Sequence, residues 1–320
     1  MKEETKKKVK KFIQRNKWGY AFVLPLLTFL AVFSIIPFFY GIIMSFYDVS
    51  SSSLTWKFVG FNNYIELFKD GTFWTSCRTM AILLLPKLII GVFVPFIFAE
   101  IIMGLRSKNA QKIYRIMMLL PIVAPGVVGM LIWKNIYASD GLINSFLKLF
   151  NPDFQPVDYL NSDDAIWKTI VALIFLGFPW IGGTNVLIYL SGLININREI
   201  YEASEIDGCT PLARVFKIDM PLCLGQFRYF LIFGIINGLQ DYGIQMVLYK
   251  VAPDYVYVPG FYLYQQAYTN DRSGYAASIG VCLFIVILGL TILANYLTNE
   301  KTKEKRLRRR KEINDGVEQR

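Results

Sequence analysis

The segment NREIYEASEIDGCTPLARVFKIDMP, residues 197–221, separates two long apolar stretches and is the most informative part of the sequence. Asn197 is a good helix N-cap for the residues that follow it. Gly208 can end that helix in a left-handed conformation, and Thr210 followed by Pro211 provides a second helix start. The pattern predicts a short helix, a sharp turn and a second short helix.

Both predicted helices have an apolar side, which consists of Ile200, Ala203, Ile206, Leu212, Val215 and Phe216. The first helix also carries four acidic residues and one arginine. Helices that lie on a lipid surface usually have Lys and Arg on their polar face, so a membrane-surface linker is the less favoured alternative. A compact element of this kind suits docking into a groove on another protein.

The composition of the remaining chain is typical of a membrane protein. Of 320 residues, 54% are hydrophobic and only 18% are charged. A helix rises about 1.5 Å per residue, so roughly 20 apolar residues cross about 30 Å of hydrocarbon. Six runs are long enough: Trp18–Phe46, Cys77–Gly104, Ile113–Ile136, Ala165–Leu193, Leu222–Leu248 and Tyr275–Leu297. The sequence therefore predicts an all-α membrane protein with six transmembrane helices.

The distribution of positive charge predicts the orientation of these helices. The chain has 34 Lys and Arg against 24 Asp and Glu, a net charge of +10. Lys and Arg are concentrated at the two ends of the chain, in the link after the second run and in 194–221. The loops at 48–76, 137–164 and 250–274 hold few of them. Because Lys and Arg accumulate on the cytoplasmic side, we expect both termini there.

Several kinds of catalytic and metal site are excluded by composition. The chain has no histidine, which removes imidazole acid–base chemistry and His zinc sites. Its four cysteines have no metal spacing, and none of its 23 glycines precedes a lysine, so it lacks a phosphate-binding loop. We therefore expect no metal, no cofactor and no ATPase site of its own. Energy has to come from a partner or an ion gradient.

The segment at 197–221 resembles the EAA motif of binding-protein-dependent ABC importer permeases of bacteria, which runs Glu-Ala-Ala, Asp-Gly and Ile-x-Leu-Pro. Ser204 stands for the second Ala of the pattern, and Met220 stands for its Leu. The matching positions are Glu202, Ala203, Ser204, Asp207, Gly208, Ile218 and Pro221.

Other stretches resemble the sugar-permease branch of this family, the maltose and glycerol-phosphate type, in the first permease of the pair. They are LPLLTFLAVFSIIPFFYGIIMSFYD at 24–48, FVGFNNYIELF at 58–68 and LLPIVAPGVVGMLIW at 119–133. The resemblance covers about 18–298 and departs at 250–260, where KVAPDYVYVPG replaces a glycine-rich run.

The resemblance implies a type I ABC importer permease fold in the bacterial cytoplasmic membrane, with an EAA coupling helix. It also implies four protein partners: a second homologous permease, two copies of a cytoplasmic ATPase that binds the ATP, and an extracellular solute-binding protein. Membrane lipid is a further partner, and nucleic acid is not expected to be one. The ATPase would dock on Glu202, Ala203, Ser204, Asp207 and Gly208. The implied division is a basic cytoplasmic N-terminus at 1–17, a first transmembrane helix and external loop at 18–71, a permease domain at 72–298 with the coupling loop at 194–221, and a basic tail at 299–320.

Polar residues within the apolar runs are candidates for the solute pathway, because polar groups in a membrane usually face a cavity or a partner. Amides and carboxylates beside aromatic rings suit the hydroxyl groups and C–H faces of a sugar. The candidates are Lys87, Trp180, Thr184, Asn185, Asn237, Gln240, Asp241 and Tyr242. Hydrogen bonding between helices is the alternative for the polar cluster. For Lys87, pairing with Asp241, contact with solute and snorkelling to the interface all stay open.

The sequence leaves a second class of function open, an ion-coupled secondary transporter that works without an ATPase. The predicted docking element argues against it, since such a carrier has no use for one. An intramembrane enzyme is less consistent, because the acidic residues of the loop at 137–164 have no accompanying motif within a span.

Overall fold

The computed structural model describes residues 17–50, 52, 56–161, 165–179, 182–249 and 252–298. Most of these residues are helical, and the chain divides into two compact units. The first comprises Met1–Lys69 and Leu263–Cys282, and the second comprises Asp70–Tyr262 and Leu283–Arg320. The predictions of a basic N-terminus at 1–17 and a basic tail at 299–320 fall almost wholly outside the described residues.

The first unit begins with a long apolar helical stretch, Ala21–Met44. Its elements are α1 (Lys17–Leu30), a π-helical turn (Ala31–Ile35), α2 (Ile36–Met44), the strands β1 (Tyr47–Val49) and β2 (Trp56–Phe58), and α3 (Asn62–Lys69). β1 and β2 form an antiparallel hairpin in which Tyr47 pairs with Phe58.

Polar contacts hold the residues around this hairpin. The buried amide of Asn63 donates to the backbone oxygens of Ser45 at 2.9 Å and Tyr47 at 3.0 Å. Arg272 forms an ion pair with Glu66, in which Nη2 donates to both carboxylate oxygens at 2.8 and 2.7 Å. Gly274 lies directly on β1, where a Cβ atom would come within 2.0 Å of the Tyr47 oxygen, so no larger residue fits. The unit is therefore held by hydrogen bonds and ion pairs besides its aromatic side chains.

The second unit is organised around one helix of 34 residues, α4 (Gly71–Gly104). Asp70 caps it by accepting a hydrogen bond from the Thr72 amide at 2.9 Å. The helices that follow are α5 (Lys108–Val123), α6 (Gly126–Tyr137), α7 (Leu142–Phe150), α8 (Ile166–Ile174), α9 (Gly183–Ile194), α10 (Arg198–Ile206), α11 (Pro211–Arg214), a π-helical turn (Val215–Asp219), α12 (Met220–Leu222), α13 (Leu224–Gln240) and α14 (Gly243–Leu248). The last described elements are a 3₁₀ turn (Asp254–Val256), α15 (Pro259–Tyr268) and α16 (Ser273–Thr298). Both helices are divided between the units, because Leu263–Cys282 belongs to the first.

The apolar core of the second unit lies where α4 packs against α9 and α13. Phe96, Tyr189 and Phe230 interleave there, with the Tyr189 ring centroid 5.4 Å from Phe96 and 4.9 Å from Phe230. The core residues are Val92, Phe96, Ala99, Ile102, Val186, Tyr189, Leu190, Leu193, Cys223 and Phe230. This packing fixes the three helices that carry most of the polar candidates.

The described helices agree only partly with six continuous spans. Three helical stretches are long and apolar enough to cross a membrane, Ala21–Met44, Gly71–Gly104 and Ser273–Thr298, and up to five are if each of two bent pairs is one span. The third predicted span is broken at Pro125, where the helical stretches Lys108–Val123 and Gly126–Phe150 meet at 94°. The six-helix count stays a prediction.

The fourth and fifth predicted spans are also interrupted. Between α8 and α9, Gly177 and Gly182 have φ angles of 91° and 75°, and Pro179 cannot donate a backbone hydrogen bond, so no helix continues there. The fifth span ends its first helix at Gln240 and resumes at Gly243. Three of the six predicted spans, 113–136, 165–193 and 222–248, are therefore interrupted helices in the structure.

Candidate functional site

A cavity of about 330 Å³ lies between α4, α9 and α13 in the second unit. Its wall is formed by Met80, Leu83, Leu84, Lys87, Leu88, Gly91, Val92, Thr184, Asn185, Ile188, Tyr229, Phe230, Phe233, Gly234, Asn237, Gly238, Asp241, Gln245 and Val258. The cavity therefore combines apolar and aromatic walls with a few charged and amide side chains. This is the usual make-up of a small-molecule site.

Five of the polar residues predicted for the solute pathway line this cavity: Lys87, Thr184, Asn185, Asn237 and Asp241. Gln240 and Tyr242 are exposed side chains that are not part of its wall. Trp180 lies outside the described residues. The structure thus brings together residues from three predicted spans, although the first and last of these residues, Lys87 and Asp241, are far apart in the sequence.

Lys87 and Asp241 face the same cavity without forming an ion pair. Within the part of the chain that the structure describes, neither side chain has an oppositely charged partner within 4.0 Å. The pairing of Lys87 with Asp241, one of three readings left open by the sequence, is absent here. Both charges are thereby left to act on whatever occupies the cavity.

Asp241 reaches the cavity by a different backbone path from the one expected. Helix α13 ends at Gln240, and Asp241 is extended, with φ −71° and ψ 122°. Its carboxylate accepts a hydrogen bond from the amide of Gly243, the first residue of α14, at 3.2 Å. Asp241 thus lies beyond the end of the helix that carries Asn237, although both residues line the cavity.

Aromatic residues of α13 form a part of the wall that the sequence reasoning missed. Tyr229 and Phe233 lie one turn apart, with ring centroids 4.5 Å from each other. Tyr229, Phe233 and Asn237 are spaced by four residues, so they lie along one side of the helix. That spacing was the signal that could have found them.

Two glycines on α13, Gly234 and Gly238, allow α4 to approach closely. A Cβ atom on Gly234 would lie 2.5 Å from Leu88 Cδ1, and one on Gly238 would lie 2.4 Å from Leu84 Cδ1. They form a GxxxG spacing, which lets membrane helices pack closely. The motif is visible in the sequence and was also missed.

The loop at 197–221 has the predicted helix, turn and helix. Asn197 accepts a hydrogen bond from the Glu199 amide at 3.2 Å, and α10 follows. Gly208 has a φ of 70°, in the left-handed region that favours glycine. Thr210 caps α11 by accepting from the Ala213 amide at 3.3 Å, with Pro211 at the first helical position.

Most of the residues matching the EAA pattern are accessible. Glu202, Ala203, Asp207 and Gly208 are exposed, whereas Ser204 is buried and donates to the Tyr201 backbone oxygen at 2.8 Å. Large apolar side chains lie exposed on the same loop: Ile206, Leu212 and Phe216 have exposed fractions of 87%, 70% and 57%. We call these three side chains the apolar patch. Its exposure on a short, capped element is typical of a protein-binding surface.

The same loop and the end of α4 contribute four fully or partly buried polar side chains, Glu100, Tyr201, Arg214 and Asp219, which we call the Arg214 cluster. Asp219 is completely buried. It accepts a hydrogen bond from the Tyr201 hydroxyl at 2.9 Å and pairs with Arg214 Nε at 3.0 Å. The Arg214 guanidinium carbon also lies 5.3 Å from the Tyr201 ring centroid, a cation–π contact. The two short helices are thus joined through one carboxylate.

The ionisation of the loop residues follows from this arrangement. Burial, followed by the hydrogen bond to Asp219, raises the pKa of Tyr201 well above its ordinary value. Burial alone would lower the pKa of Arg214, but the hydrogen bond and charge of Asp219 outweigh it and raise that pKa. Tyr201 is therefore neutral and Arg214 is charged at physiological pH.

Apolar helices surround a polar and aromatic cavity, and an exposed helix–turn–helix lies between two of them, an arrangement that is typical of membrane transport subunits. The curated homologues of this chain are permease proteins of ABC transporters. The sequence is 29% identical over 302 residues to a probable ABC transporter permease protein, YesP, of Bacillus subtilis (strain 168), covering 92% of this chain and 94% of that protein.

Two further relatives are named for their solutes. The arabinooligosaccharides transport system permease protein AraP of the same organism is 28% identical, covering 88% of this chain and 89% of that protein. The lactose transport system permease protein LacF of Rhizobium radiobacter is 23% identical, covering 94% and 100%. The resemblance to sugar ABC permeases is therefore confirmed.

The fold also has solved counterparts. A chain of a bacterial ABC transporter involved in the import of the acidic polysaccharide alginate matches with a TM-score of 0.78 and 22% identity, covering 91% of this chain and 98% of that one. This likeness shows that the chain has the fold of an ABC importer permease. No protein-family model matches the sequence.

Proposed function

We propose that this chain is the permease subunit of an ATP-driven ABC importer, and that it forms the path for a carbohydrate by alternating access. In this proposal it crosses the bacterial cytoplasmic membrane six times, with both termini in the cytoplasm. The observation that carries the proposal is the match to ABC permeases over 92% of this chain and 94% of its relative, on a fold with a polar cavity among its helices.

The chemistry of the cavity supports a carbohydrate as the solute. Asn185, Asn237 and Gln245 offer amide donors and acceptors to hydroxyl groups, and Lys87 and Asp241 offer stronger, charged ones. The rings of α13 provide flat apolar surface for the C–H faces of a sugar. The names of two relatives, which specify arabinooligosaccharides and lactose, support the same class.

The source of energy in this proposal is a partner ATPase. The chain contains no phosphate-binding loop, and its exposed loop presents the apolar patch beside Glu202, Asp207 and Gly208. Two ATPase copies would dock, one on this loop and one on the equivalent loop of a second homologous permease. Because a related solved structure holds an alginate pentasaccharide-bound periplasmic protein, a solute-binding protein is the expected partner outside.

In the proposed mechanism, ATPase closure displaces the loop and rocks the helices that surround the cavity. Import requires that each conformation exposes the cavity to one side of the membrane only. Glu202 lies on the docking helix, and Gly208 sets the turn between α10 and α11.

A pull-down in mild detergent tests the proposal. The full chain is compared with a Glu202→Lys and Gly208→Pro variant, since proline cannot adopt the positive φ of residue 208. The control is Asp153→Lys, which makes a similar charge change at an exposed position in a different loop. Mass spectrometry of the co-purifying proteins is the readout.

We expect an ATPase and a second permease to co-purify with the wild type and the control but not with the double variant. The bound solute-binding protein would then identify the carbohydrate. A wild-type chain that purifies alone, and moves an arabinooligosaccharide or lactose into liposomes with an ion gradient and no ATP, would contradict the importer and favour an ion-coupled transporter.

A further inference from the structure

The Arg214 cluster links two parts of the chain that are far apart in sequence. Glu100 lies near the end of α4, whereas its neighbour Arg214 belongs to the loop, 114 residues later. Among the ion pairs of the described residues, Arg214–Glu100 is the one that joins the loop to α4. The guanidinium of Arg214 therefore connects the loop that carries the proposed docking surface to a helix that lines the cavity.

The two carboxylates beside Arg214 are not equally satisfied. Asp219 is paired at 3.0 Å, but the Arg214 Nη2 to Glu100 Oε2 distance is 3.7 Å, longer than a hydrogen bond. Both Glu100 oxygens are buried and have no hydrogen-bond partner, and the side chain is only 10% exposed. The carboxyl oxygens of Glu100 are thus shielded from water although the residue lies near the end of α4.

A buried carboxyl group without a hydrogen-bond partner raises the free energy of the folded chain. A shorter distance between Arg214 Nη2 and Glu100 Oε2 is therefore favourable. The guanidinium has five N–H donors, and Asp219 accepts from the one on Nε, so the Nη donors can bond a second carboxylate at the same time. A movement of the loop toward α4 by less than about 1 Å would bring Arg214 and Glu100 to hydrogen-bond distance.

Helix α4 carries this contact directly to the cavity. Lys87 lies 13 residues before Glu100, about 20 Å along the same helix. Leu84 and Leu88, on the same face, touch the glycines of α13. We infer that Arg214 is a positioning residue, which couples the loop to α4 through Glu100 and so transmits movement of the docking surface to the wall of the cavity.

The inference rests on the proposed function, because it needs an ATPase that moves the loop. The test uses the assembled importer in nanodiscs, with Leu84→Cys as a reporter on the α4 wall of the cavity. The probe is a water-soluble maleimide, and mass spectrometry of the peptide that contains position 84 measures its labelling rate. Rates are compared without nucleotide and with ATP plus vanadate, which needs no knowledge of the solute.

The variants are Glu100→Met and Glu100→Gln in the reporter chain. Neither removes a hydrogen bond present in the structure, and both remove a buried carboxyl group whose oxygens have no hydrogen-bond partner, so both should fold. The matched control is Glu66→Met, which removes the exposed carboxylate of the Arg272 pair.

We expect the nucleotide to change the labelling rate about fivefold or more in the wild type and in the Glu66→Met control. Glu100→Met should abolish most of this change while ATP hydrolysis persists, and Glu100→Gln, which can still accept from Arg214, should be intermediate. A graded loss of response with intact hydrolysis is not expected of a residue that only supports folding.

Two results would overturn the inference in different ways. If the wild type responds and Glu100→Met responds equally, the link through Arg214 is wrong and the proposed function stands. If the wild-type assembly hydrolyses no ATP and shows no nucleotide response, the proposed function fails and transmission from the loop fails with it.

Discussion

The cavity and the Arg214 cluster both contain basic and acidic side chains, but these form an ion pair only in the cluster. At the cavity, Lys87 and Asp241 line a common space and stay unpaired within 4.0 Å. In the cluster, Arg214 and Asp219 are paired at 3.0 Å, with Asp219 completely buried. Within one unit of the molecule, opposite charges are thus kept apart in one place and joined in the other.

The difference indicates what each group of charges does. Paired and buried charges fix the geometry of the chain, because removal of one partner leaves the other uncompensated. Charges that face open space contribute little to the fold and are available to a ligand. Loss of stability is therefore expected from changes in the cluster, and loss of transport from changes in the cavity.

The largest effect is expected from Arg214→Met. The variant leaves the Asp219 carboxylate buried without a cation, and loss of one partner of a buried ion pair costs about 3–5 kcal/mol. Unfolding of the purified chain in detergent, followed by circular dichroism, measures the change. Arg214→Lys, which keeps the charge, should lose less. If Arg214→Met is as stable as the wild type, the charges of the cluster do not stabilise the fold, and the proposed difference between cluster and cavity is wrong.

The next largest effect is expected from Gly238→Val in the wall of the cavity. A Cβ atom at this position would already lie 2.4 Å from Leu84 Cδ1, so the extra methyl groups push α13 from α4. Overpacking of this kind costs about 1–3 kcal/mol. The double variant with Leu84→Ala should regain most of that stability in the same unfolding assay. Failure of this rescue would show that the close approach of the two helices is not what requires glycine.

A third prediction separates transport from stability at the cavity. Lys87→Met should reduce uptake about tenfold, equivalent to about 1.4 kcal/mol, because a donor to the solute is lost. Its unfolding transition should stay near that of the wild type, since the ammonium group has no ion-pair partner among the described residues. Uptake of the carbohydrate carried by the co-purifying binding protein, and a parallel unfolding curve, measure both quantities. Normal uptake with lowered stability would make Lys87 a structural residue.

The smallest effect is expected from Arg198→Gln, which removes an exposed ion pair of the same loop. Arg198 and Glu202 are 2.8 Å apart, but their side chains are 90% and 58% exposed. Such pairs contribute about 0.3–0.5 kcal/mol, and salt weakens them. Unfolding curves at low and high salt should differ slightly for the wild type and not for the variant. A loss comparable to that of Arg214→Met would show that burial is not what distinguishes the cluster.

The sequence predicted best where neighbouring residues decide the conformation. The loop at 197–221 follows capping rules that act over three or four positions, and Asn197, Gly208 and Thr210 occupy the places those rules assign. Apolar runs indicated the long helices for the same local reason. The breaks near Gly182 and Asp241 were missed because the average hydropathy of an apolar run does not reveal one extended aspartate or two glycines with positive φ.

By itself, the sequence determined that the chain is a helical membrane protein, that it carries a capped helix–turn–helix and that it resembles sugar ABC permeases, since length, polarity and motif spacing are properties of the chain alone. Only the tertiary structure decided that Lys87 and Asp241 share a cavity without pairing, and that Glu100 meets Arg214 from the loop. The physical reason is that distances between side chains more than a hundred residues apart depend on how the helices pack. Here that packing depends on Gly234 and Gly238, which leave space for leucine side chains of α4. It also depends on the buried carboxylate of Asp219, which pairs with Arg214.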